Sequence, residues 1–257
     1  MNPIMKFTNS ALRPLRVLIR KILGTSLFGP PVSCLVPENL YAYLDAVYKK
    51  RKLNGTILEV GCALGATAAI AYTFLARQGL HKDYTCIDTF HGFVPAHLEV
   101  DRRLGLPPEN ESKFSDLSKD MVQTALKYWG ISQIRLIEGD IASMDESLIP
   151  DKISVCLMDV DLKVPIFKGL QRVYPNLQNG GVILVDDCTL GTSWVGALEG
   201  YRQFISEQGL NEKYFMGFGV VESNPHLEPL NWPMSSHPSR ETHYLYRASN
   251  PIVFDER

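Results

Sequence analysis

Five short apolar runs alternate with helical segments along this chain, and each run ends at a glycine or an acidic residue. Residues 56–60 (Thr-Ile-Leu-Glu-Val) stop at Gly61, 84–88 close on Asp88 and 134–138 on Glu138. Residues 153–159 close on Asp159, and 182–185 run into Asp186-Asp187. Short runs that are apolar throughout belong to strands buried on both faces. Between them, 63–76, 117–129, 164–174 and 194–208 carry helical patterns, closed by glycines such as Gly180-Gly181 and Gly209. This alternation predicts an α/β fold, a doubly wound and mostly parallel sheet with helices on both faces. Two further strands, 214–221 and 242–247, are expected to complete seven. Neither an internal repeat nor a second domain boundary interrupts the pattern.

Composition narrows the function classes. Hydrophobic residues make up 45% and charged residues 21% of the 257, enough apolar surface for a sizeable core. A net charge of −2 provides no basic field for nucleic acid. No apolar run approaches the ~20 residues of a membrane span. The five cysteines are widely spaced, and four lie in apolar or strand-like runs, so they read as buried thiols of a cytoplasmic protein.

The first 37 residues depart from this average. They contain Lys6, Arg13, Arg16, Arg20 and Lys21 but no acidic residue, and 11–23 reads as a short basic amphipathic helix. It does not read as a signal peptide, because arginines interrupt the apolar stretch. Packing on the domain or a sister subunit is one expectation, and peripheral contact with an anionic membrane the other. Residues 38–257 are expected to form the main domain. Two connections in it exceed an ordinary turn: 89–116, a lid candidate leaving the carboxyl end of a strand, and 222–241, a substrate-loop candidate with His226, Trp232 and His237.

In such a sheet, ligands bind at the carboxyl ends of the strands. The first ends Glu59-Val-Gly61-Cys-Ala63-Leu-Gly65, a strand–glycine–helix turn. A dinucleotide fingerprint places a glycine where Ala63 stands, so a pyrophosphate is disfavoured, and Glu59 suits an ammonium group. Asp88 is placed to accept two hydrogen bonds from a ribose diol. Asp140, after Glu138-Gly139, can meet an adenine amino group. Three acidic strand ends without a phosphate loop fit an adenosine that carries no phosphate, and S-adenosylmethionine is such a molecule. Asp159, Asp161, Asp186 and Asp187 would repel one another unless some protonate or a cation sits among them. Oxygen-only ligands select a hard ion such as Mg2+. Read singly, Asp187 could instead cap a helix and Asp161 shape a turn.

Together these residues resemble the class I S-adenosylmethionine-dependent methyltransferases, with their seven-stranded Rossmann-like sheet. More narrowly they resemble the macrocin-type sugar O-methyltransferases, which act on macrolide deoxysugars and the noviose of aminocoumarins. The matching text is 59–65, Ile87-Asp88-Thr-Phe-His-Gly92, Glu138-Gly-Asp140, Met158-Asp-Val-Asp-Leu162, Tyr174-Pro175, 180–187 and 196–204. The resemblance implies a cofactor site of Glu59, Gly61, Ala63, Gly65, Asp88, Thr89, Phe90, Gly139, Asp140 and Ile141. It also implies Mg2+ on Asp159, Asp186 and Asp187, with Asp159 as base. His91 stands where the family usually has an acid, and Lys163 where it commonly has an aromatic. Lys163 is similar to the lysine base of catechol-type enzymes, though differently spaced.

The expected activity is methyl transfer from S-adenosylmethionine to one hydroxyl of a vicinal diol, on a (deoxy)sugar of a glycosylated natural product or glycolipid. The expected partner is this small-molecule glycoside, with the chain as a homo-oligomer. A catechol or phenol O-methyltransferase with the same metal is the alternative. A binding module without turnover and an NAD-dependent oxidoreductase stand below both.

Overall fold

The structure, a computed structural model, describes residues 29–227 and 229–238. The expected helix at 11–23 and strand at 242–247 lie outside those residues. Five parallel strands form most of the sheet: β1 (Thr56–Val60), β2 (Tyr84–Asp88), β3 (Arg135–Glu138), β4 (Ile153–Met158) and β5 (Leu177–Val185). A hairpin, β6 (Tyr214–Phe215) and β7 (Phe218–Glu222), closes it, with β7 antiparallel to β5. The order is β3-β2-β1-β4-β5-β7-β6. The chain therefore winds outward in opposite directions from β1 and β4, and a crevice opens between their carboxyl ends.

The helices are α1 (Pro37–Lys49), α2 (Ala66–Arg77), α3 (Pro95–Leu104), α4 (Lys119–Tyr128), α5 (Lys163–Val173) and α6 (Val195–Glu207). Strand residues alternate between two cores. Ile57, Val155, Leu157, Val182 and Leu184 meet α1, α2 and α4 on one face. Leu58, Cys156, Met158, Ile183 and Val185 meet α5 and α6 on the other. With both faces covered, polar side chains have little room in the central strands, and β1 and β4 are buried at every residue. Among the described residues, no helix is long and apolar enough to cross a membrane.

The expected elements differ from the observed ones in four places. Residues 214–221 are not one strand but the β6–β7 hairpin. Met216 and Gly217 both take left-handed φ (48° and 84°), the conformation a tight two-residue turn demands, and only Gly217 signals it. Strand β5 starts at Leu177, five residues before the expected 182, because the chain already pairs with β4 at Ile153. The 89–116 connection contains α3. Helix α1 was not expected, although its buried Asn39, Ala42, Tyr43, Ala46 and Val47 follow helical spacing behind Pro37 at the first turn.

Candidate active site

The strand ends are brought together by backbone conformations that side chains ordinarily avoid. Gly61 (φ 84°) lies so close to β4 that a β-carbon there would stand 1.9 Å from the Asp159 carbonyl oxygen. Ala63, Phe90, Asp161 and Asp187 follow β1, β2, β4 and β5, and all four hold left-handed φ, between 45° and 61°. Such strain costs roughly 1–3 kcal/mol per residue and gathers at functional sites. Here it turns the chain sharply at four neighbouring strand ends.

Asp88 organises the ends of β1 and β2. Its Oδ2 accepts the N–H groups of Cys62 (2.8 Å) and Ala63 (3.0 Å), and its Oδ1 accepts that of Phe90 (2.7 Å). Burial pushes the Asp88 carboxyl up and these backbone donors pull it down. The carboxylate thus ties the glycine turn after β1 to the end of β2. Asp140 bonds the Ala142 N–H (3.0 Å) and the Ser143 hydroxyl (2.9 Å), and His97 Nε2 stands 3.6 Å from its Oδ2.

Glu59 is placed differently. It is 1% exposed on the face of α1, and it accepts a short hydrogen bond from the Tyr84 hydroxyl. Tyr84 is in turn 2.6 Å from the Tyr43 hydroxyl of α1. Burial raises the Glu59 carboxyl to about 8, opposed by the Tyr84 hydrogen bond and reinforced by Asp88.

Beyond β4 and β5, one carboxylate oxygen each from Asp159, Asp161 and Asp187 lies within 4.8 Å of the others. Burial, followed by the charge of neighbouring aspartates, raises Asp159 and Asp161 well above the usual carboxylate range. Asp186 is raised by burial and by Asp187, while the Asn39 amide pulls it down. Asn39 Nδ2 donates to Asp186 Oδ1 at 2.5 Å, and the Thr192 hydroxyl donates to Asp187 Oδ1 at 3.1 Å. Three oxygen donors this close, two of them with raised proton affinity, fit a hard divalent cation whose charge would offset their repulsion. Asp159 and Asp187 belong to both this group and the expected ligand set. Asp161 joins them in place of Asp186, and Asn39 is a site residue that the sequence reading did not single out.

A single pocket connects the two sides. Gly61, Ala63, Asp88, Thr89, Gly139, Asp140 and Ile141 line it together with Asp159 and Asp161. Three expected cofactor residues, Glu59, Gly65 and Phe90, do not line it: Gly65 opens α2 and Phe90 is buried in the α1-side core. From the 89–116 segment, Phe93, Val94, His97 and Phe114 form its wall. Phe93 also packs 5.5 Å from Trp194. Arg102 and Arg103 of the same segment point elsewhere and pair with Glu99 and Glu111 on the exposed face. In the 222–241 segment, Trp232 stacks on Phe215 at 4.3 Å and donates to Asp45 (2.7 Å), outside the pocket lining. Its described end returns toward the rim, where the Pro238 carbonyl accepts the Leu190 N–H.

Comparison with known proteins follows the same outline. The family model described as Macrocin-O-methyltransferase (TylF) matches residues 37–215. The solved structure of the O-methyltransferase NovP is similar at a TM-score of 0.61 and 18% identity, over 73% of this chain and 78% of its own. CalS11, a calicheamicin methyltransferase, is similar at a TM-score of 0.56 and 20% identity, over 86% of this chain and 93% of its own. At these identities the structural likeness is one of fold. No curated protein matches the sequence.

Proposed function

Because the chain belongs to the macrocin-O-methyltransferase (TylF) family, we propose that it methylates one hydroxyl of a vicinal diol on the sugar of a glycosylated small molecule, with Mg2+ at the acidic group. Membership makes it an S-adenosylmethionine-dependent O-methyltransferase. The acceptor and the metal are our reading. The observation that carries it is the single pocket in which Asp88 and Asp140 share a wall with Asp159 and Asp161.

When bound, S-adenosylmethionine would supply the methyl group, and Mg2+ a positive charge that lowers the pKa of an acceptor hydroxyl. The residues of the chain bind, orient and exclude water. Asp88 and Asp140 would hold ribose and adenine, and the Gly61–Ala63 turn would pass close beneath the methionyl part. Asp159 and Asp187 would ligate the metal together with Asp161 or Asp186. Asp159, whose proton affinity burial and its neighbours already raise, is the base that takes the hydroxyl proton. Lys163, at the start of α5, is the alternative base. Charge is lost when the methyl moves, so a dry site favours transfer. Phe93, Val94 and Phe114 of the lid serve that end.

Those apolar lid residues also favour a second reading, a catechol or phenol acceptor lying flat against them. The deciding experiment measures S-adenosylhomocysteine release with paired acceptors, glycosides bearing a free vicinal diol and simple catechols, in Mg2+ and in EDTA. Turnover of a glycoside that EDTA abolishes supports the first reading. Preference for catechols over every glycoside transfers the enzyme to the second, and full turnover after dialysis against EDTA removes the metal.

A further inference from the structure

Helices α5 and α6 both start beside the acidic group, and neither supplies its own cap. Leu162 and Trp194 stand at their N-caps without a side-chain hydrogen bond to the helix that follows. The first turn of a helix exposes N–H groups and partial positive charge that a carboxylate satisfies well. Asp101 of α3 delivers one from the lid. Its two oxygens lie 3.3 and 3.1 Å from the Lys163 nitrogen, which donates to them, and the residue is 1% exposed. Glycine at 196 makes room for it, since a β-carbon there would lie 1.7 Å from Asp101 Oδ1 and 2.6 Å from the Lys163 nitrogen. Lys163 follows Asp161 by two residues. The strained turn that presents Asp161 is therefore tied through one backbone N–H to the lid helix.

We propose that Asp101 is a positioning residue: by capping α5 from α3 it seats the lid and holds Asp161 in register with Asp159 and Asp187. The part that concerns metal rests on the reading that these carboxylates hold Mg2+. The contact couples closure over the pocket to assembly of the acidic group, and it touches none of the residues assigned to the adenosine. Asp101 therefore acts directly on the metal half of the site, and reaches the cofactor half only through α3, which carries His97 beside Asp140.

Asp101→Asn and Gly196→Ala attack this contact from opposite sides, the first by removing the anion and the second by filling its place. Three quantities are read in each variant of the full chain: amide hydrogen exchange over 95–104, Mg2+ affinity by calorimetry without acceptor, and S-adenosylmethionine affinity by calorimetry. Both variants should exchange about tenfold faster over 95–104 and bind Mg2+ about fivefold more weakly, as loss of a cap implies. Both should lose less affinity for S-adenosylmethionine than for Mg2+. Parental exchange and parental Mg2+ affinity in both variants overturn the proposal. Loss of strand protection in both also overturns it, because the contact would then hold the whole fold and not the lid. If the parent itself binds no Mg2+, the metal reading fails separately, and exchange over 95–104 still decides the role of Asp101.

Discussion

Asn39, in the first turn of α1, donates its side-chain amide to Asp186 at the end of β5 across 2.5 Å and 147 residues of sequence. It is 6% exposed, and a β-carbon on Gly217 would press within 3.2 Å of its amide. The amide thus has little freedom, and it holds one Asp186 oxygen while the carboxylate faces Asp187. Asn39→Ala should strip a part-buried carboxylate of its side-chain partner, costing about 1–3 kcal/mol of stability. If Asp186 ligates metal, the Mg2+ concentration for half-maximal turnover should also rise at least about threefold. Thermal melting and a Mg2+ titration of activity separate the two effects, and an unchanged melting curve rules out the constraint.

The third ligand of the proposed metal site can be identified by comparison. Asp161→Asn and Asp186→Asn each replace one carboxylate in or beside the compact group. The variant whose Mg2+ requirement rises by about tenfold or more names the ligand. Asp187→Asn should behave like that variant. Asp159→Asn should stay inactive at saturating Mg2+, since an amide can coordinate but cannot accept the proton. Rescue by excess Mg2+ alone would leave Asp159 a ligand and shift the base to Lys163.

Asp88→Ala should weaken S-adenosylmethionine binding by about 1.5–3 kcal/mol, the value of hydrogen bonds to a charged group. The structure adds a second consequence, because the N–H groups of Cys62, Ala63 and Phe90 lose their acceptor. The variant should therefore melt lower even without ligand. Calorimetry with unchanged affinity in a folded variant would sink the ribose assignment.

Glu59 gives the stability a pH dependence. Its folded value of about 8 lies above the ordinary 4.5, so between those values the native state keeps a proton that the unfolded chain has released. Stability from this group is full below about 4.5 and declines as pH rises toward 8, by at most about 1.4 kcal/mol per pH unit. Glu59→Gln, which keeps an acceptor for Tyr84, should flatten the decline. Melting temperatures from pH 5 to 8 should converge or cross between parent and variant, and parallel curves would refute the assignment.

A vicinal diol can occupy two neighbouring positions on an octahedral ion, fixing the nucleophilic oxygen. A deoxy analogue lacking the adjacent hydroxyl should lose about tenfold in kcat/KM, or about 1.4 kcal/mol of transition-state binding. Equal values for diol and deoxy analogue would reject chelation.

The strands that carry the site were legible from local chemistry. A parallel strand buried on both faces is largely apolar along its length, so the place where 84–88 and 153–159 turn acidic, and where 56–60 meets Gly61, marks where the chain leaves the sheet. Local chemistry alone thus puts Asp88, Asp140, Asp159 and Asp187 at one rim. The direction each side chain takes depended on neighbours distant in sequence. Glu59, in a run that reads like a cofactor strand, turns into the α1 face, because tyrosines from β2 and α1 form its hydrogen-bonded partners. In the 89–116 segment Arg102 and Arg103 face outward while Phe93 and Phe114 face the pocket. Asn39 reaches Asp186, and Asp101 reaches Lys163, across 147 and 62 residues. Local pattern reports which groups must leave a core, whereas pairing of two buried polar groups exists only once packing has set their separation, and that separation decided which carboxylates meet.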